Sequence, residues 1–185
     1  MENMRSIYRD HVSMILSHPG MEFRPTEQEL VYEFLIPKNS GEYLNDHINE
    51  VNLYGLNPFD LPQTDSFTYS GRRGTQIRWY YYVATASIND QDGKRISVGG
   101  YWKKKGCGIS VEGNGGVVIG AKRSFVFYAT DSVGGAIRTN WIMQEFSLFR
   151  NPEPPFVLCR LYRRSTVSPV EVMDLRQGDD TNFDE

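Results

Sequence analysis

The feature that most constrains this chain is a change of grammar at Gln76. Ile77-Arg78-Trp79-Tyr80-Tyr81-Tyr82-Val83 is a run of aromatic and β-branched residues, types that fit a pleated, half-buried surface better than a helix. The sequence then keeps returning to such runs, at about 100–105, 116–119, 122–129, 140–149 and 155–162. Glycine-rich turns such as Gly113-Asn114-Gly115-Gly116 and Gly134-Gly135 separate them. Asp92-Gly93 lies between two extended runs and predicts a tight hairpin. Strands that follow one another through short turns, with no helix between them, pair antiparallel. A twisted antiparallel β-sheet is therefore expected over most of the chain.

Upstream the pattern is helical. Thr26 stands three residues before Glu29, so the hydroxyl can accept from the Glu29 amide and the carboxylate can accept from the Thr26 amide. This capping box predicts a helix start, with Leu30, Val31, Phe34 and Leu35 on its apolar side and Pro37 as its stop. A second short helix is expected around 45–50, with Ile48, Val51 and Leu53 turned inward. Met4, Ile7, Tyr8, His11 and Ile15 leave the first eighteen residues as a marginal amphipathic helix or a loose extension. The class is α+β, a twisted antiparallel sheet flanked by a few short helices. The expected organisation is an extension over 1–18, one domain over 19–164 and an acidic tail over 165–185 that is poor in large apolar residues and expected to be mobile.

Composition closes several other routes. At 185 residues, 39% hydrophobic and 23% charged, the chain can bury a real core. It has no run of 18 apolar residues to span a bilayer. Arg5, Arg9, Asp10 and His11 interrupt the apolar region a secretory signal needs, so an intracellular chain is expected. Two cysteines, Cys107 and Cys159, are too few for a disulfide framework and suit a reducing compartment.

Charge is informative by segment. Residues 1–70 carry four Lys/Arg against eleven Asp/Glu, residues 71–164 fifteen against six, and residues 165–185 one against six. A formal net charge of −3 thus hides a basic middle between acidic ends, which points to an anionic partner for the middle. The basic residues concentrate further. Lys94, Arg95, Lys103, Lys104 and Lys105 fall within one acid-free stretch, and Lys122-Arg123 follow on another expected strand. Cations on a strand can reach phosphate oxygens along a duplex, and a strand can enter the major groove. Alternation allows at most two of the three consecutive lysines to share one face. Tyr101 and Trp102 can stack on bases or support the strand from behind, and a large aromatic among strands normally buries. The bland reading of the lysines is a charged strand edge that resists aggregation.

Enzyme signatures are sparse. Cys107 and Cys159 have no CxxC partner, and His11, His18 and His47 lie far upstream, so no zinc spacing is present. Gly113–116 lacks the Lys-Ser/Thr ending of a phosphate loop. Lys103, Lys104 and Lys105 would favour a thiolate at Cys107, but no histidine follows position 47 to act as its base. No enzymatic activity, cofactor, metal or small-molecule substrate is expected.

Eight ordered blocks between Pro19 and Arg164 resemble the NAC-domain family of plant transcription factors. They are PGMEFRPTEQELVYEFL (19–35), INEVNLYGLNPFDLP (48–62), RWYYYV (78–83), DGKR (92–95), GYWKKKG (100–106), IGAKRSFVFY (119–128), RTNWIMQEF (138–146) and FVLCRLYRR (156–164). The resemblance implies a twisted sheet flanked by helices, sequence-specific binding of double-stranded DNA as a dimer, and control of transcription in the nucleus. It implies that Trp102 and Lys103 lie on the strand entering the major groove, and that Arg95, Lys122 and Arg123 contact the backbone.

The departures carry their own expectations. Where the family has a basic stretch before the hairpin, this chain has Ala84-Thr85-Ala86-Ser87-Ile88, and Lys104 and Lys105 replace the usual Ala and Thr. Fewer phosphate contacts and an altered base preference follow. The dimer block, with Pro19, Gly20 and Phe23, places Glu22 and Glu29 where relatives pair an Arg with a Glu. Like charges there oppose homodimerisation, and Arg24 is the alternative partner of Glu29 or Glu27. The second functional reading is accordingly an interaction protein that binds DNA weakly and forms regulatory heterodimers with related factors.

Overall fold

The computed structural model describes residues 23–42, 48–71, 74–149 and 152–164. The expected extension over 1–18 and tail over 165–185 lie outside them, as do residues 43–47 of the expected second helix. The capping box forms as the sequence requires. Thr26 Oγ1 accepts from the Glu29 amide at 3.2 Å, and Glu29 Oε2 accepts from the Thr26 amide at 2.7 Å. The helix it starts, α1, consists of Glu27–Glu29, a π-helical run Leu30–Leu35 and a last turn Ile36–Asn39. Pro37 does not end it. The widened spiral just before the proline, in which the Ile36 amide donates to Val31 five residues back, gives the ring room that an ordinary turn denies. The helix ends two residues later, where Asn39 is fastened to the sheet: its amide donates to Phe156 O and its carbonyl accepts from Phe156 N.

Nine strands follow among the described residues. They are β1 (Asn49–Glu50), β2 (Ser66–Gly71), β3 (Gly74–Ala84), β4 (Asp90–Gln91), β5 (Lys94–Ser97), β6 (Gly100–Glu112), β7 (Val118–Thr130), β8 (Ala136–Leu148) and β9 (Phe156–Arg163). They form one sheet in the order β1-β3-β9-β8-β7-β6-β5-β4, with β2 also on β3. Three expectations change. Asn49–Glu50 is a strand pairing parallel with Tyr81-Tyr82, not the end of a helix. The runs at 116–119 and 122–129 are one long strand, β7. Ser66–Gly71, where no strand was expected although Phe67 and Tyr69 alternate with Ser66, Thr68 and Ser70, pairs antiparallel with β3. Among the described residues α1 is the one helix longer than a turn; the rest are single 3-10 turns.

The sheet has a core on each face. On one, α1 buries Leu30, Val31, Phe34 and Leu35 against Tyr80, Tyr82, Phe146, Leu148 and Leu158. Each fully buried side chain of this size contributes about 1.5–3 kcal/mol. On the other, Leu53 and Leu61 of the segment before β2 cover Trp79, Tyr81, Trp102, Phe125, Phe127, Trp141 and Met143. The sheet curls around this second core strongly enough that Arg95 on β5 meets Glu145 on β8, although β6 and β7 stand between those strands.

Candidate nucleic-acid interface

Two successive tight turns frame the site. Asp92 and Gly93 both take positive φ, 53° and 73°, which matches the twist of the flanking strands, and the Asp90 carboxylate accepts from the Gly93 amide at 2.9 Å. That turn closes β4 onto β5; the next turn, Val98-Gly99, with Gly99 at φ 76°, closes β5 onto β6 and sets Lys94 directly opposite Lys103. Like charges directly opposite on a sheet are destabilising, so folding alone does not favour the pair. Each amine is carried over a ring: Lys94 Nζ lies 5.2 Å from the centroid of Tyr101, and Lys103 Nζ 5.9 Å from that of Tyr128. The two tyrosines stack across β6 and β7 with centroids 5.3 Å apart and planes parallel.

Lys104 and Lys105 extend the row, both exposed. The Lys104 amide donates to Gly93 O at 2.8 Å. Beyond it no described strand pairs with the outer edge of β6. The edge bulges next, since the pairing Lys105 with Ser124 resumes only at Ile109 with Lys122. Gly106, at φ 66°, supplies the left-handed residue this bulge needs. Among the described residues no carboxylate forms an ion pair with Lys94, Lys103, Lys104 or Lys105.

The other expected cations are paired with carboxylates of the chain. Arg95 is 3% exposed and Glu145 1%, and they form a two-pronged ion pair, Arg95 Nη1 with Oε2 and Nη2 with Oε1. Arg95 also donates to Tyr54 OH at 2.9 Å and to Asp90 Oδ2 at 3.4 Å. Its guanidinium lies 4.4 Å from the Phe125 ring centroid. Burial alone would lower the pKa of Arg95, but the hydrogen bonds and charge of Glu145 more than offset it and hold the group above its ordinary value. Burial, reinforced by Cys159 and Glu145 and opposed by Arg95, raises the Tyr54 phenol. Burial and Glu145 raise the Cys159 thiol, again against Arg95. Arg123 donates to Glu145 Oε1 at 3.3 Å. Lys122 pairs with Glu27 at 2.5 Å, and Arg160 reaches the same oxygen at 3.4 Å. Trp102 is fully buried against Phe127. The expectation that Arg95 reaches a DNA backbone is thus corrected, since its side chain is core, and of the two readings of Trp102 the one that supports the strand from behind matches its burial.

The expected dimer residues divide likewise. Phe23 is 5% exposed and meets Phe34 and Tyr80 edge-on, so it is a core residue of its own chain. The Glu29 carboxylate serves the helix cap. Arg24 donates to Ser70 O and lies over Tyr69, while Glu27 holds Lys122 and Arg160. Pro19, Gly20 and Glu22 lie outside the described residues.

A sheet with a helix packed on its α1 face, a lysine-bearing hairpin and eight ordered blocks can be matched to known proteins. The model of the No apical meristem (NAM) protein family covers residues 18–148. The chain belongs to this NAC-domain family. It is 30% identical to the NAC domain-containing protein JA2 of Solanum lycopersicum over 176 residues, which cover 89% of this chain and 48% of that one. It is likewise 30% identical to NAC domain-containing protein 72 of Arabidopsis thaliana, over 88% of this chain and 57% of that one. With NAC domain-containing protein 68 of Oryza sativa subsp. japonica it shares 33% over 84% of this chain and 51% of that one. The chain spans about half the length of the curated relatives it matches. NAC-domain proteins are plant transcription factors, a family that is not generally enzymatic. Among the described residues no three His, Cys, Asp or Glu gather to hold a metal, and no helix is long and apolar enough to cross a membrane. One residue of this candidate site was not foreseen: Tyr128, the partner of Tyr101, whose place follows only from the register across the bulge.

Proposed function

We propose that this NAC-domain chain binds double-stranded DNA through the β5–β6 hairpin and regulates transcription in the nucleus as a dimer. One observation carries the reading: four exposed lysines gather where β5 ends and the edge of β6 opens, with no carboxylate paired to them among the described residues, two of them directly opposite each other against the interest of folding. Lys94, Lys103, Lys104 and Lys105 neutralise phosphates, and Tyr101 orients Lys94 toward them. Lys122 and Arg123 contribute from β7 after exchanging Glu27 and Glu145 for phosphate. Trp102 and Arg95 hold the strand in place from beneath. Selection from a randomised duplex pool, for the wild type and for Lys103→Glu with Lys105→Glu, tests this. Enrichment of a sequence that vanishes in the variant supports it; equal retention of DNA by both proteins overturns it.

The diversion of Arg95, Lys122 and Arg123 into internal pairs favours the second reading, a regulatory partner of related NAC proteins with weak DNA binding of its own. Its mark is a salt dependence shallower than seven phosphate contacts would give, since each contributes about 0.9 to the slope.

A further inference from the structure

The lysine edge has a counter-charge within its own chain. Residues 165–185 hold Glu171, Asp174, Asp179, Asp180, Asp184 and Glu185 against the single Arg176. The sheet register shows where that segment departs. Lys103 pairs with Val126, Val126 with Ile142, and Ile142 with Tyr162, so Lys103 lies on one cross-strand line with the end of β9. The Arg164 amide, donating to Asn140 O at 2.9 Å, marks the last described residue beside it. Three strand spacings amount to about 14 Å across the sheet. The fifteen residues from Arg164 to Asp179 can span up to about 50 Å when extended, so the acidic cluster reaches the lysines with ample slack.

We infer that the acidic segment 171–185 docks on Lys94, Lys103, Lys104 and Lys105, shielding the edge from nucleic acid. The effective concentration of a segment tethered this closely is in the millimolar range, so individually weak contacts suffice. The partner is chosen by charge complementarity and by the exit point of the chain. Glu27 and Glu145 are already committed to Lys122, Arg160, Arg95 and Arg123; of the exposed cations outside those pairs the four lysines form the larger group, with Arg163 and Arg164 beside the exit point leading toward it. A duplex offers denser negative charge and displaces the segment, so the docked form filters out weak polyanions. The competition with DNA rests on the function proposed above; the docking itself does not.

Carbodiimide cross-linking of the dilute full chain in about 0.15 M salt, where the Debye length is about 8 Å, tests the docking directly. Expected are zero-length links from Lys103, Lys104 or Lys105 to Asp179, Asp180, Asp184 or Glu185, lost on addition of duplex. Links no more frequent there than to Lys38, or none at all, overturn the inference. The second arm uses a full-length chain carrying E171Q, D174N, D179N, D180N, D184N and E185Q. Its duplex affinity should rise about tenfold at low salt, and its Cys107, exposed between the bulge glycines, should react several-fold faster with an anionic disulfide reagent but not with a neutral one. Unchanged affinity and unchanged thiol rates also overturn the docking. Failure of both wild type and variant to hold any duplex instead sinks the DNA reading, and cross-linking still decides the docking.

Discussion

Two clusters of positive charge sit less than one strand apart and have opposite fates. Lys94 and Arg95 are neighbours on β5, so alternation sends them to opposite faces. Lys94 emerges on the face of Lys103 and Lys105, with Lys104 exposed at the rim on the other face, and none of the four has a carboxylate partner among the described residues. Arg95 enters the core, where Glu145, Asp90 and Tyr54 satisfy it. The residue types fit their places. A guanidinium offers a flat fork that one carboxylate can match and that stacks on Phe125, whereas an ammonium is a compact, hydrated point charge suited to a wet edge. The contrast teaches that the number of basic residues in a segment overstates its reach to a partner: what counts is which of them an acid has not already claimed.

The comparison breaks most visibly at Glu145. Glu145→Gln leaves Arg95 buried beside a neutral amide and should cost about 3–5 kcal/mol in urea unfolding, whereas Lys103→Glu with Lys105→Glu should change stability by no more than about 0.5 kcal/mol. Equal effects would erase the distinction between the two clusters. Alkaline pH probes the same buried side without mutation. The Tyr54 and Tyr81 phenols are raised by burial, Tyr81 additionally by Asp65, and the Cys159 thiol is raised as well. Groups held neutral in this way leave stability whole below their unfolded pKa values and drain it as pH climbs through them toward the folded values. The loss should begin near pH 8.5–9 for Cys159 and near pH 10 for the tyrosines, at about 1.4 kcal/mol per pH unit for each group. Melting curves from pH 7 to 11 should fall in that window, and Tyr54→Phe should flatten its upper part.

On the exposed side, Lys103→Glu with Lys105→Glu should lower duplex affinity by more than tenfold at low salt and reduce the slope of log affinity against log salt by about 2. The smallest effect sharpens the boundary between the clusters. Glu27→Gln releases Lys122 and Arg160 from a partly exposed carboxylate, so stability should drop by no more than about 1 kcal/mol while the salt slope steepens by about 1. A slope unchanged in Glu27→Gln would assign Lys122 to structure alone.

Much of this was legible in the sequence where the cause is local. The Thr26 to Glu29 cap and the Asp92-Gly93 turn each depend on residues within three positions of one another, and both form as read. The long strands after Gln76 follow from residue type. What escaped depends on distant geometry. The fate of Arg95 is decided by Glu145, fifty residues on, and by a curl of the sheet that no local pattern records. The Tyr101–Tyr128 stack is hidden by the bulge. Counted back from Ile109 opposite Lys122, a regular hairpin would set Tyr101 two residues out of register, against Thr130. Pro37 misled because its usual effect was absorbed by a π-helical turn, which has no sequence signal of its own here. The exposure of Lys103, Lys104 and Lys105 was the readable part of the site, since no acid lies within reach along the chain.

The link from Arg95 to Glu145 has a mechanical consequence. It ties β5, next to the outermost strand of the sheet, to β8 near its middle, like a brace fixed across the hollow of a bent plate. A pull on Lys94 is therefore carried through β5 into the centre of the molecule instead of peeling the hairpin away. Whatever grips the lysine rim meets a stiff spar, with the backbone beneath the lysines already in place before contact.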